Sequence, residues 1–299
     1  MPSPKRDQSW FPEALAEWAL ASRVGYLAAA YTGSRWLTKG APGRLRRTPA
    51  EHGLPWEAAY CRTDDGYRLA GWIISPPDAK ATVVLFHGVH HNREQTLSRI
   101  AVLAAAGFRC VAFDHRAHGE SAGRRTSFGY YESQDVAAVL QFVRQRWPNQ
   151  PCAALGISMG AAALCYAWSS TRLLDAVVLE SVYHDIGRAF FSRMQTYPPW
   201  FQRLSQGVLW VTERRLGLQM NQLTPADRIE HLSPAPILLV TGAEDTYAPP
   251  EDARRLRDRC RGPCDLCVVD GAGHRDVFET GGLSYQRQLL DFLAPRLAS

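Results

Sequence analysis

Cys152–Tyr166 reads CAALGISMGAAALCY. The first residues are apolar and short-sided, as in a strand covered on both faces, and the last form an Ala-rich helical run. Between them stands Gly156-Ile157-Ser158-Met159-Gly160, a G-x-S-x-G. The pattern by itself occurs by chance in many proteins. Placed between a strand and a helix it marks a sharp turn that presents a nucleophilic serine. Gly156 and Gly160 are needed because the turn leaves no room for side chains beside Ser158. The helix N-terminus behind Ser158 favours a developing negative charge.

Outward from this turn, strand-like apolar runs occur at Thr82–Phe86, Arg109–Phe113, Cys152–Ile157, Ala176–Leu179, Ile237–Thr241 and Leu266–Val269. Helical patterns lie between and after them, at Gln95–Ala106, Glu132–Trp147, Met159–Ser170, Pro250–Arg261 and Leu283–Leu297. This alternation predicts an α/β fold with a mainly parallel sheet flanked by helices and a site at the strand C-termini. Trp56–Thr63 and Tyr67–Ser75 flank the turn Asp64-Asp65-Gly66 and predict a hairpin ahead of the sheet. Residues 182–234 contain no strand pattern but hold Tyr183, Phe190, Phe191, Met194, Tyr197, Trp200, Phe201 and Trp210. They read as a helical cap insertion, most of whose aromatic residues form its own small core while a few line an apolar pocket. The expected organisation is an N-terminal helix and linker over 1–55, a core over 56–181 and 235–299, and a cap over 182–234.

Two further polar turns fall on the same sheet edge. Gly242-Ala243-Glu244-Asp245 follows one strand and Gly271-Ala272-Gly273-His274 follows another. An imidazole there can take the serine proton during attack, and a carboxylate can fix its tautomer. Either Glu244 or Asp245 can supply that carboxylate. His87-Gly88-Val89 ends the strand Thr82–Phe86, and the backbone amides of Val89 and Met159 are the expected oxyanion donors. His87 and Gly88, like Gly156 and Gly160, are expected to support these turns. His90 and His91 read as loop residues, with Asn92 as a cap.

Together these stretches resemble the α/β-hydrolase superfamily from about Trp56 to the C-terminus. The resemblance rests on His87-Gly88, on Asp114-His115-Arg116-Ala117-His118-Gly119-Glu120-Ser121, on the Ser158 turn, on Gly242–Asp245 with Pro249, and on Gly273-His274. Ala117 stands where the second motif usually has Gly. Phe128-Gly129-Tyr130-Tyr131-Glu132 and Asp135 are similar to Bem46-like and serine-aminopeptidase-like members, a branch that includes monoacylglycerol-lipase-like enzymes. The resemblance implies a Ser158, Asp245, His274 triad, with Asp245 preferred over Glu244. It also implies cleavage of small to medium carboxylic esters through an acyl-serine. An aminopeptidase, amidase, thioesterase or acyltransferase would use the same triad, and a non-catalytic binding module is the remote alternative.

Composition narrows the remaining classes. The 299 residues carry 34 Lys+Arg against 29 Asp+Glu, a net charge of +5, with Lys only at positions 5, 39 and 80. No nucleic-acid-binding motif accompanies the basic runs, so the expected partner is a small-molecule ester. Seven Cys, an odd number in a large chain, suit a reducing compartment, hence a cytoplasmic expectation. Cys260, Cys264 and Cys267 are closely spaced, but zinc would need a fourth ligand, so neither metal nor cofactor is expected. Gly40–Pro55, rich in Gly, Pro and Arg, reads as a linker. Residues 10–31 read as a helix that packs on the protein or contacts a membrane surface. The oligomeric state is left open. A free imidazole titrates near ~6.5 and must be neutral to act as a base. Ester hydrolysis should therefore rise through mildly acidic pH to a plateau; a rate–pH profile with a strongly acidic optimum would count against His274.

Overall fold

The computed structural model describes residues 22–194, 197–232 and 234–298. Its centre is an eight-stranded sheet built from β1 (Glu57–Arg62), β2 (Arg68–Ile74), β3 (Thr82–Phe86), β4 (Arg109–Phe113), β5 (Cys152–Ile157), β6 (Ala176–Glu180), β7 (Ile237–Gly242) and β8 (Cys264–Val269). The spatial order is β8-β7-β6-β5-β3-β4-β2-β1. The β1–β2 and β2–β4 pairs are antiparallel and the other five are parallel. Strands β3 to β7 are buried at every position, which accounts for their unbroken apolar runs. Apolar clusters fill both faces, one around Val84, Leu140 and Leu179, the other around Leu85, Ile100 and Leu289.

Helix α1 (Arg23–Leu37) precedes the sheet. Among the connecting and terminal helices are α2 (Leu97–Ala105), α3 (Glu132–Arg146), α4 (Met159–Tyr166), α5 (Ile186–Met194), α6 (Pro199–Leu216), α7 (Pro250–Arg259) and α8 (Val277–Leu297). The helix expected over Met159–Ser170 is interrupted at Ala167, and a separate short turn follows over Trp168–Thr171. The last helix starts earlier than expected and kinks at Gly282, which takes φ 49°.

Helices α5 and α6 lie between β6 and β7 in sequence, and α1 packs along α6. Small residues permit this approach: Gly33 faces Val208, and Gly207 faces the Tyr26 ring. Arg215 Nη1 donates to Ser34 Oγ at 2.7 Å and to Thr38 Oγ1 at 3.1 Å, tying the end of α1 to α6. Of the residues 10–31 expected to be helical, 10–21 lie outside the described residues. The described helix runs past Tyr31 to Leu37, continuing through Gly33. Among the described residues no helix is long and apolar enough to cross a membrane.

The Gly40–Pro55 segment is more than a linker. Ala41 and Pro42 pair in parallel with His118 and Gly119, and Pro49–His52 forms a 3-10 turn. The Arg47 amide donates to Glu94 Oε1 at 3.0 Å. The segment is thereby fastened across the loop after β4.

Behind the sheet edge that carries Ser158, Glu180 at the end of β6 is buried with Arg99 of α2. Arg99 Nε and Nη2 meet its carboxylate at 2.9 and 2.6 Å, and the Tyr285 hydroxyl of α8 donates to Glu180 Oε1 at 2.5 Å. One carboxylate thus joins a strand to helices on the same face. Removing one partner of a buried pair leaves an uncompensated charge, which costs about 3–5 kcal/mol. Arg99→Ala should lower unfolding free energy by that order in urea titration; a change below about 1 kcal/mol would remove this role.

Candidate active site

The Ser158 turn is set by close backbone approach. A Cβ at Gly156 would lie 2.5 Å from the Ala161 amide nitrogen, and one at Gly160 would lie 2.5 Å from the Phe86 carbonyl oxygen. Neither neighbour is a flexible side-chain end, so both positions require Gly. Ser158 itself takes φ 51° and ψ −107°. An L-residue with positive φ is strained, and such strain persists only where the surroundings over-determine it. Here the Ser158 amide donates to the Glu180 carbonyl at 2.8 Å, and the Ser158 carbonyl accepts from Ala162 at 3.0 Å.

Ser158 Oγ lies 3.0 Å from His274 Nε2, and His274 Nδ1 lies 2.8 Å from Asp245 Oδ2. An ionised carboxylate only accepts, so Nδ1 carries the ring proton and Nε2 is left to accept from the serine. Asp245 is nearly fully buried, and its other oxygen accepts the Tyr247 and Ala248 amides, each at 2.8 Å. Glu244, one residue earlier, is exposed. The geometry therefore resolves the choice that the pattern left open.

The loops carrying Asp245 and His274 are stitched together. Gly242 packs so closely that a Cβ would fall 2.2 Å from the Ala272 carbonyl oxygen. The Glu244 amide donates to that same carbonyl at 2.8 Å, and the Ala243 amide donates to Val269 at 2.9 Å. The Gly273 amide donates to Asp276 Oδ1 at 2.8 Å, shaping the turn at His274.

On the other side of Ser158, the loop after β3 is braced by neutral histidines. The Gly88 amide donates to Gln95 Oε1 at 2.7 Å. His87 Nε2 accepts the His115 amide at 3.0 Å, so its Nδ1 donates to the Gly88 carbonyl at 2.8 Å. His118 Nε2 accepts the His90 amide at 3.3 Å, and its Nδ1 donates to the Arg116 carbonyl at 2.8 Å. Asn92 caps the next turn by accepting from the Glu94 amide. Val89 and Met159 both line the cavity at Ser158. Among the described residues, neither amide is taken up by a loop or side-chain acceptor. Ala117, where the resemblance has Gly, accepts φ 62° in this bracing layer, away from the Ser158–His274 pair.

The cavity over Ser158 is about 320 Å³. Its apolar wall includes Phe128, Tyr183, Ile186, Phe190 and Met194. Phe191 and Trp210 instead remain substantially exposed, so they do not form the cap core expected of them. The sequence reading missed Trp36 and Leu37, which also line the cavity from the end of α1. It missed the Tyr247 ring as well, whose centroid lies 5.0 Å from that of His274. No local pattern marks the first two, because only the packing of α1 on α6 brings them there.

Cys260 Sγ and Cys264 Sγ approach to 3.0 Å. Among the described residues no group of three or more His, Cys, Asp or Glu side chains is placed to hold a metal.

With this geometry in place, comparison with known proteins defines the class. A family profile described as serine aminopeptidase, S33, matches residues 77–226, and one described as TAP-like protein matches residues 209–295. The chain belongs to the serine aminopeptidase S33 family of the α/β-hydrolase superfamily. The uncharacterized protein YqkD of Bacillus subtilis is 25% identical over 234 residues, covering 76% of each chain. A polyketide transferase, grgF, of Penicillium is 22% identical over 288 residues, covering 82% of this chain and 98% of its own. An esterase of Pyrococcus furiosus superposes with a TM-score of 0.71 at 21% identity, covering 87% of this chain and 99% of its own.

Burial pulls the His118 imidazole down to about 4 from its ordinary 6.5. Burial, with the His115 and His118 charges, pulls His87 well below 6.5. Between those values the unfolded chain binds more protons than the folded one at these positions. Their contribution is therefore complete above about 6.5 and is lost as pH falls toward 4. Thermal melts should show a falling Tm across this interval, and a smaller fall in His118→Gln; equal slopes for the two proteins would contradict the neutral-histidine brace.

Proposed function

We propose that this α/β hydrolase cleaves carboxylic esters of small to medium acyl chains through an acyl-Ser158 intermediate. The observation that carries the reading is the continuous Ser158–His274–Asp245 hydrogen-bond chain, at 3.0 and 2.8 Å. Ser158 Oγ attacks the ester carbonyl carbon as its proton passes to His274 Nε2. The resulting oxyanion is held by the Val89 and Met159 amides, and Asp245 stabilises the imidazolium. Collapse breaks the C–O bond, and the departing alcohol leaves with the proton from His274. His274 then takes a proton from water, the hydroxide adds to the acyl carbon, and the acid leaves as Ser158 regains its proton. No step calls on a metal or an organic cofactor.

The size of the acyl group is argued from the cavity. At about 320 Å³ it lies at the small end of the ligand-pocket range, ~300–1,000 Å³. The apolar wall suits an acyl chain, and residues 182–234 supply much of it as a cap. Val24, Leu27 and Tyr31, exposed on α1, support contact of this helix with a membrane surface. A second reading keeps the triad and delivers the acyl group to an amine, thiol or other alcohol; the name of the Penicillium relative, a polyketide transferase, favours keeping it in view.

Initial rates on p-nitrophenyl esters from acetate to palmitate should peak at short or medium chains. Ser158→Ala should lower the rate by about four orders of magnitude or more. Near-wild-type turnover in that variant would sink the assignment. A wild-type enzyme that labels with a fluorophosphonate yet hydrolyses none of the esters would shift the proposal to the transfer or amidase reading.

A further inference from the structure

Adjacent residues face two different cavities. Phe128 lines the Ser158 pocket, while Ser127 lines a second cavity of about 560 Å³. Arg116, Arg124, Arg125 and Arg215 line this second space together with Tyr67 and Tyr131, and no Asp or Glu is among its lining residues.

The four arginines are not equivalent. Arg116 is buried and neutralised, meeting Asp135 at 2.8 Å and Asp65 at 2.7 Å. It builds the wall. The other three have no carboxylate within ion-pair distance among the described residues. Arg215 spends one guanidinium nitrogen on the Ser34 and Thr38 hydroxyls, and Arg125 donates to the Arg215 carbonyl at 3.2 Å. All these acceptors are neutral. Desolvation first, and then the nearby Arg125 and Arg35 charges, pull the Arg215 guanidinium below its ordinary value against the opposing effect of Tyr31.

Concentrating three uncompensated guanidinium groups on a concave surface is unfavourable by like-charge repulsion, and an anion relieves it. The planar fork of arginine matches phosphate oxygens with paired hydrogen bonds, and several such forks together suit a phosphate group better than a single carboxylate. The volume exceeds what one phosphate fills, leaving room for an organic portion beside the two tyrosines. We propose that this cavity is a binding site for a phosphate-bearing ligand, held by Arg124, Arg125 and Arg215 and separate from the acyl pocket at Ser158. The phosphate can belong to a soluble organic phosphate or to a lipid headgroup, since both present the same oxygens.

Two probes of the full-length protein test the site. Pyrophosphate is titrated calorimetrically at constant ionic strength, and vesicles of phosphatidylcholine are compared with and without phosphatidic acid in a sedimentation assay. Saturable pyrophosphate binding that weakens about tenfold or more in Arg124→Gln/Arg125→Gln is the result expected for a soluble ligand. Binding confined to phosphatidic-acid vesicles, with the same loss in the double variant, assigns the site to a headgroup. Both positions are exposed and lie outside the Ser158 pocket, so p-nitrophenyl ester turnover and the melting temperature should stay near wild type. Arg124→Glu repeats the test without disturbing the Arg125 bond to the Arg215 carbonyl. The proposal is overturned if neither probe binds, or if the folded variants bind as tightly as the wild type.

Discussion

The first turn of α4 passes directly beneath the end of β3, and the site depends on that contact. Gly160 lies against the Phe86 and His87 carbonyls, and Gly156 against the Ala161 backbone. Contact at this distance forces the connecting residue, Ser158, into a left-handed conformation and thrusts its hydroxyl away from the sheet. It also fixes the distance between the serine and the loop that follows Phe86. The strain is of order 1–3 kcal/mol and is offset locally, through the Ser158–Glu180 backbone hydrogen bond and the start of the helix. Glu180 is in turn held by Arg99 and Tyr285. The reactive edge is therefore one mechanically continuous piece, from α8 through β6 to the serine.

The same economy governs the other side of the site. The carboxylate that orients His274 is itself oriented by two amides of its own loop, while Gly242 lets the two loops touch. His87 and His118 act as paired donors and acceptors in the backbone around the loop after β3, a task that only the neutral ring can perform. Histidines close to a catalytic centre are readily mistaken for proton carriers or metal ligands. Here their hydrogen bonds make these two struts.

Much of this was legible in the sequence because it is local. The Ser158 turn announces itself through three consecutive signals, an apolar strand, two glycines and an Ala-rich helix, and the central strands are continuous apolar runs. The choice between Glu244 and Asp245 was not local: it rests on which side chain the loop buries against His274, and only the resemblance favoured Asp245. Residues 40–55 were misjudged because a two-residue strand has no periodicity to detect, and their Gly and Pro content describes the turns rather than the docking. The break at Ala167 carries neither Gly nor Pro. Trp36 and Leu37 reach the pocket only through the packing of α1 on α6, a contact across more than half the chain that no window along the sequence contains.

Ser158 and His274 are separated by 116 residues, whereas Asp245 and His274 are 29 apart. The serine turn belongs to the middle of the chain and His274 to the last connection, between β8 and α8, so both β7 and β8 must be synthesised before the two can meet. In the proposed reaction the Ser158 hydroxyl passes its proton to His274, and that acceptor is in place only when β7 and β8 have joined the sheet.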